Sequence, residues 1–366
     1  MIIPEYIHSG QRIGVTAMSH PADEELDRVR FENGARKLKK HGYEVIFTDN
    51  VFVPADRYGR SSTGEERAQQ LHQLLEDDSV GAVYSAGGGD FLAEMLPYVD
   101  LEMVRRHPKW IQGYSDNTSI LYYLTTKADV ATAYGANFSD FGMQDWDISV
   151  KRGLQVLEGS CQLQKSFYTY QDGFGKKETG LEGYNPDKKV VWKCVTDGDG
   201  KPFTGDEQRS HGRKKDHDPG PGKEVLFRGR LLGGCMDVLL NLSGTPYDGT
   251  LEFLERYKDD GIIWYLESFD LHFEQMMEGL WKMKQLGWFR YTKGILFGRP
   301  LFYPTEGWDG EPLPTYEDVI LERLADLHVP ILSDTDIGHK GPQFVMINGA
   351  MAQVRYCNGK GSVRYV

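Results

Sequence analysis

The sequence predicts an α/β protein in which a doubly wound, mainly parallel sheet is followed by a second region of β/α units. Short apolar runs typical of buried strands alternate with longer amphipathic segments typical of helices, as parallel β-α-β units require. The length of 366 residues exceeds one typical hydrophobic core. We therefore expect two domains, or one large domain with insertions.

The doubly wound sheet is predicted to occupy about the first 150 residues. Residues 12–17 and 43–47 have the composition of buried strands, and the amphipathic stretch between them predicts a helix that ends near Gly42. The alternation continues with a helix at 65–75, a strand at 81–85, a helical segment at 91–97, a strand at 110–111 and a strand at 130–134. Binding sites in such sheets collect at the carboxyl ends of the strands.

Two of these strand ends carry loops that could support chemistry. Gly113 permits a sharp turn after the fourth strand, and Asp116 or Asn117 can cap the helix that follows. Ser115 then lies at a strand-to-helix corner, the geometry of an activated serine, although similar turns also serve as ordinary helix starts. The three glycines 87–89, after the third strand, could cradle a phosphate, donate to an oxyanion or simply turn the chain.

Residues 160–224 differ in composition from the rest of the chain. Glycine, lysine, aspartate and proline dominate, which predicts a linker with an inserted surface segment and a small hairpin through 190–194. Such a segment suits either a mobile flap over a site or a solvated loop. Four of its residues have metal-ligating side chains but lie among basic residues, so we predict no metal site there: His211, Asp216, His217 and Asp218. We also expect no cofactor.

The second compact region begins near residue 229. Strands are predicted at 262–266, 294–298 and 330–333, separated by helices at 236–242, 273–286 and 316–325. Glu267 directly follows the first of these strands, and His339 lies in the loop beyond the last.

A serine nucleophile needs a base to accept its proton and a carboxylate to orient that base. Glu267 emerges from a buried strand and could supply the carboxylate, although it could equally cap the next helix. His339 lies in a tight loop between glycines and suits a positioned base, whereas lone histidines are more often structural. His20, in a strand-end loop, is a rival base, and His72, within a helical pattern, is a weaker one.

Composition restricts the classes of partner. The net charge of −12 argues against nucleic acid, because a phosphate backbone must be met by a concentrated basic surface. The four cysteines are far apart and predict neither a zinc site nor a disulfide framework. The chain shows no signal-peptide pattern and no apolar run of transmembrane length, so we expect a soluble cytoplasmic protein without membrane contact.

Five motifs, taken together, match a known family. They occur in the family's order and extend over nearly the whole chain, and by them the sequence resembles the serine LD-carboxypeptidases, a family that includes the microcin C self-immunity peptidases. The matching segments are Gly88-Gly89 with 95–100, then 113–116, 229–234, 264–267 and 336–339.

The resemblance implies roles for the candidate residues. Ser115 would be the nucleophile, Glu267 the carboxylate and His339 the general base, while the backbone N–H groups of Asp116 and of Gly88-Gly89 would form the oxyanion hole. It implies a homodimer and a flavodoxin-like N-terminal domain joined to a smaller β/α C-terminal domain. With the change in composition described above, we place the N-terminal domain at 1–159, the inserted segment at 160–224 and the C-terminal domain at 225–366.

Departures from the family pattern concern the substrate. Residues 268–270 and 340–342 differ from the cell-wall enzymes, and the segment 160–224 resembles the microcin-immunity members, where an inserted loop presents aromatic residues to a nucleotide. Trp192 could stack on such a nucleotide or could be an ordinary packed indole.

We expect a carboxypeptidase that releases D-alanine from murein tetrapeptides. A peptidyl-nucleotide hydrolase is the alternative within the enzyme class. A non-catalytic two-domain binding protein, and a nucleotide-binding domain that uses the glycine loop 87–89, remain the alternatives outside it.

Overall fold

The computed structural model describes residues 1–203, 224–307 and 309–366. The first part of the chain alternates strands and helices as predicted. Its strands are β1 (Arg12–Thr16), β2 (Glu44–Phe47), β3 (Val80–Ser85), β4 (Trp110–Gly113) and β5 (Thr132–Tyr134). Its helices are α1 (Glu25–Lys40), α2 (Gly64–Glu76), α3 (Leu101–Arg106), α4 (Thr118–Tyr123) and α5 (Ile148–Leu157), with a 3-10 helix at Leu92–Tyr98.

The remaining elements lie between residues 163 and 365. The strands are β6 (Leu163–Lys165), β7 (Thr169–Tyr170), β8 (Lys188–Lys189), β9 (Lys193–Asp197), β10 (Glu224–Cys235), β11 (Ile262–Glu267), β12 (Thr292–Gly298), β13 (Pro330–Thr335), β14 (Met346–Asn348), β15 (Met351–Cys357) and β16 (Lys360–Tyr365). The helices are α6 (Met236–Leu242), α7 (Thr250–Arg256), α8 (Phe273–Gln285) and α9 (Tyr316–Leu324).

The first sheet has the strand order of a flavodoxin-like domain. Strands β2-β1-β3-β4-β5 are parallel neighbours, and β14 pairs antiparallel with β5 at the edge. The order 2-1-3-4-5 places a topological switch between β1 and β3, where loops diverge and leave a crevice at the carboxyl ends of the strands. The predicted two-domain α/β class is confirmed.

The second sheet has a parallel centre and antiparallel flanks. Within the described residues its order is β6-β16-β15-β10-β11-β12-β13-β9, and β10 to β13 are the parallel strands. Strand β11 is buried along its whole length, as its unbroken apolar sequence predicts for a central parallel strand.

The predicted hairpin at 190–194 is wrong. Residues 193–197 form β9 instead, which pairs antiparallel with β13 at the edge of the second sheet. The segment also supplies β6 to the opposite edge of that sheet. Cys194 and Val195 are buried there, and this gain in apolar burial explains why a polar, turn-rich segment joins a sheet. Sheet membership thus does not follow the composition boundaries at 160 and 224.

The two sheets are joined by a shared apolar core. The ring of Tyr122 on α4 stacks at 5.7 Å on Trp288, and the Tyr122 hydroxyl hydrogen-bonds Thr250 at 2.7 Å. The backbone N–H of Cys235 donates to Thr118 Oγ1 at 3.0 Å. Because α4 follows directly from the corner that carries Ser115, this packing sets the position of that corner against the second sheet. In the described ranges, every helix is too short or too polar to cross a membrane.

Candidate active site

Ser115 occupies a strained corner between β4 and α4. Its φ of +65° lies in the left-handed region, which costs a non-glycine residue roughly 1–3 kcal/mol. The turn needs glycine at 113, since a Cβ there would lie 2.9 Å from Asn117 Cβ. A serine held in this conformation at the end of a strand matches the nucleophile corner expected from the sequence.

Asn117 occupies the N-cap position of α4, but neither Asp116 nor Asn117 caps the helix with a side-chain hydrogen bond. The Asp116 carboxylate accepts hydrogen bonds from Ser19 Oγ at 2.5 Å and from the Leu92 N–H at 2.8 Å, so it ties together the loops after β1 and β3. The Asn117 amide donates to the carbonyl oxygens of Gly87 and Tyr114, each at 2.9 Å. Both side chains therefore hold neighbouring loops around the corner. Burial raises the pKa of Asp116, against the lowering effect of these hydrogen bonds.

The glycine loop lies against the Ser115 hydroxyl. A Cβ at Gly88 would be 3.1 Å from Ser115 Oγ, and one at Gly89, whose φ is +147°, would be 2.3 Å from Ser19 Oγ. A side chain at Gly88 would thus occupy the space beside the Ser115 hydroxyl, and one at Gly89 would collide with Ser19. The Asp116 N–H belongs to the first turn of a helix, where backbone N–H groups lack intrahelical acceptors. Backbone from both predicted oxyanion segments is close to Ser115.

Glu267 and His339 are joined by a short hydrogen bond. His339 Nδ1 lies 2.8 Å from Glu267 Oε2 at the end of β11. Because a carboxylate only accepts, Nδ1 is the donor and Nε2 is left as the basic nitrogen of the neutral ring. Gly338, with φ +102°, makes the contact possible, since a Cβ there would lie 2.6 Å from Glu267 Oε2. The predicted helix-cap alternative for Glu267 is not what this side chain does.

His339 is held with its second nitrogen unpartnered. The side chain is 3% exposed, and its ring contacts those of Tyr114 and Phe269 at centroid distances of 5.0 and 4.9 Å. Nε2 is buried and forms no hydrogen bond with any described residue. Ser115 and His339 line the same cavity, although no hydrogen bond joins Ser115 Oγ to Nε2 in the described part of the chain. Such contacts commonly tighten only when substrate binds.

The Glu267 carboxylate stays ionised although it is fully buried. Burial alone would raise its pKa, but the charge and hydrogen bond of His339, together with hydrogen bonds from Tyr134 and Cys235, outweigh burial and hold the pKa below its usual value. An ionised carboxylate can stabilise an imidazolium that forms beside it.

Tyr134 is a component that the sequence analysis missed. Its hydroxyl donates to Glu267 Oε1 at 2.5 Å and accepts from the Ser115 N–H at 3.3 Å. The signal was present, because Tyr134 ends β5 and strand-end position was the criterion that selected the other candidates. Tyrosine was not among the residue types sought.

Trp192 is buried, and its predicted contact with a nucleotide is wrong for this structure. Its side chain is 0% exposed, and Nε1 donates to Asp336 Oδ2 at 2.9 Å. Arg299 pairs with the other oxygen of Asp336 at 2.7 Å. The indole packs against Phe344 and against Gly361 of β16, where an added Cβ would lie 2.0 Å from the ring, so it meets no solvent.

Of the two rival bases, only His20 borders the candidate site. His72 Nε2 accepts from the Asp100 N–H at 3.1 Å, so it has a structural partner. His20 Nδ1 lies 2.7 Å from the Pro21 carbonyl oxygen, and its ring faces the smaller of two cavities beside Ser115. Neither histidine contacts Glu267. The four metal-ligating residues His211, Asp216, His217 and Asp218 lie outside the described residues.

Two cavities of unequal size meet at the candidate site. The larger, about 1520 Å³, is lined by Ser115, His339 and Cys235, and the smaller, about 480 Å³, by His20, Arg30, Tyr184 and His339. The residues that line both cavities are Gly88, Gly89, Tyr114, Asn137, Phe174 and His339. Phe174 and Tyr184 come from the segment predicted as a flap or solvated loop, so part of that segment does border the site.

Comparison with known proteins gives a consistent pattern. Residues 13–135 match the family model of the LD-carboxypeptidase N-terminal domain, and residues 228–354 match that of the LD-carboxypeptidase C-terminal domain. The chain is 25% identical to the microcin C7 self-immunity protein MccF of Escherichia coli, with 97% of this chain and 93% of that protein covered. It is 23% identical to the probable murein peptide carboxypeptidase of Bacillus subtilis, with 96% and 93% covered.

Solved structures establish the same fold. An MccF-like protein from Bacillus anthracis superposes with a TM-score of 0.76 at 23% identity, covering 100% of this chain and 99% of the other. A microcin C7 self immunity protein MccF structure with aspartyl sulfamoyl adenosine superposes with a TM-score of 0.74 at 20% identity, covering 100% and 98%.

Proposed function

The chain belongs to the LD-carboxypeptidase family, and from this premise we propose that it is a serine peptidase acting through Ser115, Glu267 and His339. One observation carries the proposal. The Glu267 carboxylate orients His339 through Nδ1 at 2.8 Å, and His339, whose Nε2 has no hydrogen-bond partner among the described residues, lines the same cavity as Ser115. A histidine so arranged can act as the general base that accepts the hydroxyl proton of Ser115.

The reaction follows from these positions. As Ser115 Oγ attacks an amide carbonyl, His339 Nε2 takes the hydroxyl proton and Glu267 stabilises the resulting imidazolium. The N–H groups of Asp116 and of Gly88-Gly89 donate to the tetrahedral oxyanion. The C–N bond then breaks as His339 returns the proton to the leaving amine. Water, activated by the same histidine, releases the acyl group from Ser115.

We propose a murein tetrapeptide that loses its terminal D-alanine as the substrate. The unequal cavities support a substrate with a small leaving residue and a large acyl part. The lining of the larger cavity includes Asp90, Asp237, Asp270 and Glu278 against the cations Lys282 and Arg323. Because carboxylates are in excess, the cavity favours a peptide with an amino group and disfavours a substrate with a phosphate-like group.

A peptidyl-nucleotide amide is the second candidate substrate. The 25% identity to the microcin C7 self-immunity protein MccF over nearly the whole of both chains favours it. The same chemistry would cut its amide bond. The buried position of Trp192 removes the aromatic residue that the sequence offered for stacking on the base.

We also propose that the protein acts as a homodimer in the cytoplasm, on the basis of its resemblance to the family. Light scattering on the purified chain measures the oligomeric state, and a monomeric mass at micromolar concentration would contradict this part of the proposal.

Replacing Ser115 by alanine tests the nucleophile. Purified wild type and Ser115→Ala are incubated separately with murein tetrapeptide and with an aminoacyl sulfamoyl adenosine, and product masses are recorded. We expect wild type to release D-alanine and Ser115→Ala to lose about 10⁴-fold or more in kcat, because the acyl-enzyme cannot form.

The matched control is Ser149→Ala, at the start of α5 and away from both cavities, whose Oγ bonds only Asp147. It should keep wild-type activity. Full activity of Ser115→Ala would refute the mechanism, and cleavage of neither compound by wild type would refute both substrates.

A further inference from the structure

We propose that Tyr134 is a positioning residue whose single hydroxyl holds the Ser115 corner and the Glu267 carboxylate in register across the two domains. The inference rests on the proposed function, since it assigns Tyr134 a part in the same reaction. Tyr134 ends β5 of the first sheet, whereas Glu267 ends β11 of the second.

The direction of each hydrogen bond is determined by the chemistry of its partner. The carboxylate Oε1 of Glu267 can only accept, so the Tyr134 hydroxyl donates to it at 2.5 Å. The backbone N–H of Ser115 can only donate, so the same oxygen accepts from it at 3.3 Å. The continuous path is Ser115 N–H, Tyr134 O–H, Glu267 carboxylate and His339 Nδ1–H. Each of the three protons has one acceptor: the Ser115 N–H donates to the Tyr134 oxygen, the Tyr134 O–H to Glu267 Oε1, and His339 Nδ1–H to Glu267 Oε2.

Burial keeps this arrangement intact. Tyr134 is 0% exposed and is not among the residues that line the two cavities. Burial, and then the negative charge of Glu267, raise the pKa of Tyr134 far above its usual value, so the hydroxyl keeps the proton that it donates. Tyr134 therefore acts through its neighbours and does not touch the substrate.

Each of the two contacts has a separate consequence. The bond to Ser115 N–H supports a corner whose φ of +65° is intrinsically unfavourable. The bond to Oε1 satisfies one carboxylate oxygen, leaves Oε2 for His339, and is among the interactions that lower the pKa of Glu267. Loss of the hydroxyl should therefore disturb both the geometry of the nucleophile and the protonation of the Glu267–His339 pair.

The test compares two variants that remove one buried hydroxyl each. Tyr134→Phe removes the proposed link. Tyr265→Phe is the matched control, because Tyr265 is also 0% exposed, its ring is 5.7 Å from that of Tyr134, and its hydroxyl bonds Asn348 at 2.7 Å and no group of the site. The readout is the rate at which a fluorophosphonate probe labels Ser115, measured from pH 5 to pH 9, with thermal unfolding as the check of folding.

We expect Tyr134→Phe to label about 10- to 100-fold more slowly than wild type, the range for losing a hydrogen bond to a charged group. On a cleaved peptide, kcat should fall while KM stays within about twofold, because no substrate contact is lost. The acid limb of the rate profile should move to higher pH. Without the hydrogen bond from Tyr134, the Glu267 carboxylate stabilises the His339 imidazolium more strongly. The Glu267–His339 pair therefore takes up its proton at higher pH.

The outcomes separate the inference from the function on which it rests. Tyr265→Phe with wild-type labelling, beside a slow and pH-shifted Tyr134→Phe, supports the inference. Equal rates and equal pH profiles for the two variants would overturn it while leaving the Ser115 mechanism intact. A rate loss in Tyr134→Phe without a pH shift would also overturn it, because packing alone would explain that result. No labelling of Ser115 in wild type would refute the proposed function, and the inference with it.

Discussion

At the scale of single residues, the site depends on how closely the backbone at Gly338 approaches the Glu267 carboxylate. Gly338 lets the chain pass so near Glu267 that a Cβ at 338 would be 2.6 Å from Oε2, and the same carboxylate must meet His339 Nδ1 at 2.8 Å. The glycine therefore serves the histidine next to it. A larger residue would push the carboxylate away from the nitrogen that it orients.

Gly338→Ala should consequently lose activity. We expect a fall in kcat on the order of 100-fold, since displacement of a positioned group by about 1 Å has effects of that size. Gly10→Ala is the matched control, because Gly10 has a φ of +97°, close to the +102° of Gly338, and a Cβ there meets nothing within 4 Å. Both variants carry the same backbone strain, and thermal unfolding measures it. Equal activity of the two would show that the contact with Glu267 is unimportant.

At the scale of elements, Trp192 is held by residues from distant parts of the chain. It directly precedes β9, and its indole packs against Phe344 and donates a hydrogen bond to Asp336. The burial of Asp336 is offset by Arg299, by the indole N–H and by the Phe167 N–H. Trp192 thus helps to hold Asp336 in the loop that leads to His339.

Trp192→Phe should lower the free energy of unfolding and leave KM unchanged. It removes the hydrogen bond to Asp336, and losing a buried bond of this kind costs about 1–3 kcal/mol. Trp281→Phe is the contrasting variant, since Trp281 is 54% exposed and lines the larger cavity. Its unfolding free energy should stay within about 0.5 kcal/mol of wild type. Urea titration and initial-rate kinetics give both quantities. A raised KM in Trp192→Phe with unchanged stability would restore the stacking role.

At the scale of the whole molecule, the cleft lies between two domains that share a core, and its larger cavity is acidic. Asp270 and Glu278 line this cavity and form no ion pair with any residue in the described ranges. Unpaired carboxylates around a cleft attract cationic groups, and salt screens that attraction. The cavity should therefore distinguish substrates by charge as well as by size.

The double variant Asp270→Asn with Glu278→Gln tests this preference. For a murein peptide with a free side-chain amine, we expect KM to rise roughly 3- to 10-fold at low salt, the range for losing two exposed charge pairs. The acetylated peptide should show little change. The control is Glu274→Gln, because Glu274 lies on α8 with Glu278 but does not line the cavity. An identical KM change for both peptides would contradict a role for charge.

Much of this protein was determined by its sequence alone. The alternation of apolar and amphipathic segments predicted the α/β class, the five parallel strands of the first sheet and three of the four parallel strands of the second, because burial of a parallel strand leaves an unbroken apolar run. The five ordered motifs identified the family, which the comparisons confirm. The candidates Ser115, Glu267 and His339 were selected as polar residues at strand ends. Their roles remain proposals.

Only the tertiary structure decided which of those residues meet. Two sheets had to pack before the hydroxyl of Tyr134, on the first, could contact Glu267 on the second at 2.5 Å. Several elements were not predicted: α3, α5, α7, β6 to β8, β10 and β14 to β16. Of these, β14 crosses back to pair with β5 of the first sheet. The local pattern of apolar residues indicates whether a segment is buried but not which segment packs against it. That partner can lie more than 200 positions away, as Asn348 does from Thr132, with which it pairs. For the same reason the sequence around Trp192 did not show whether the indole is buried, because Phe344 and Gly361, which pack against it, lie far along the chain.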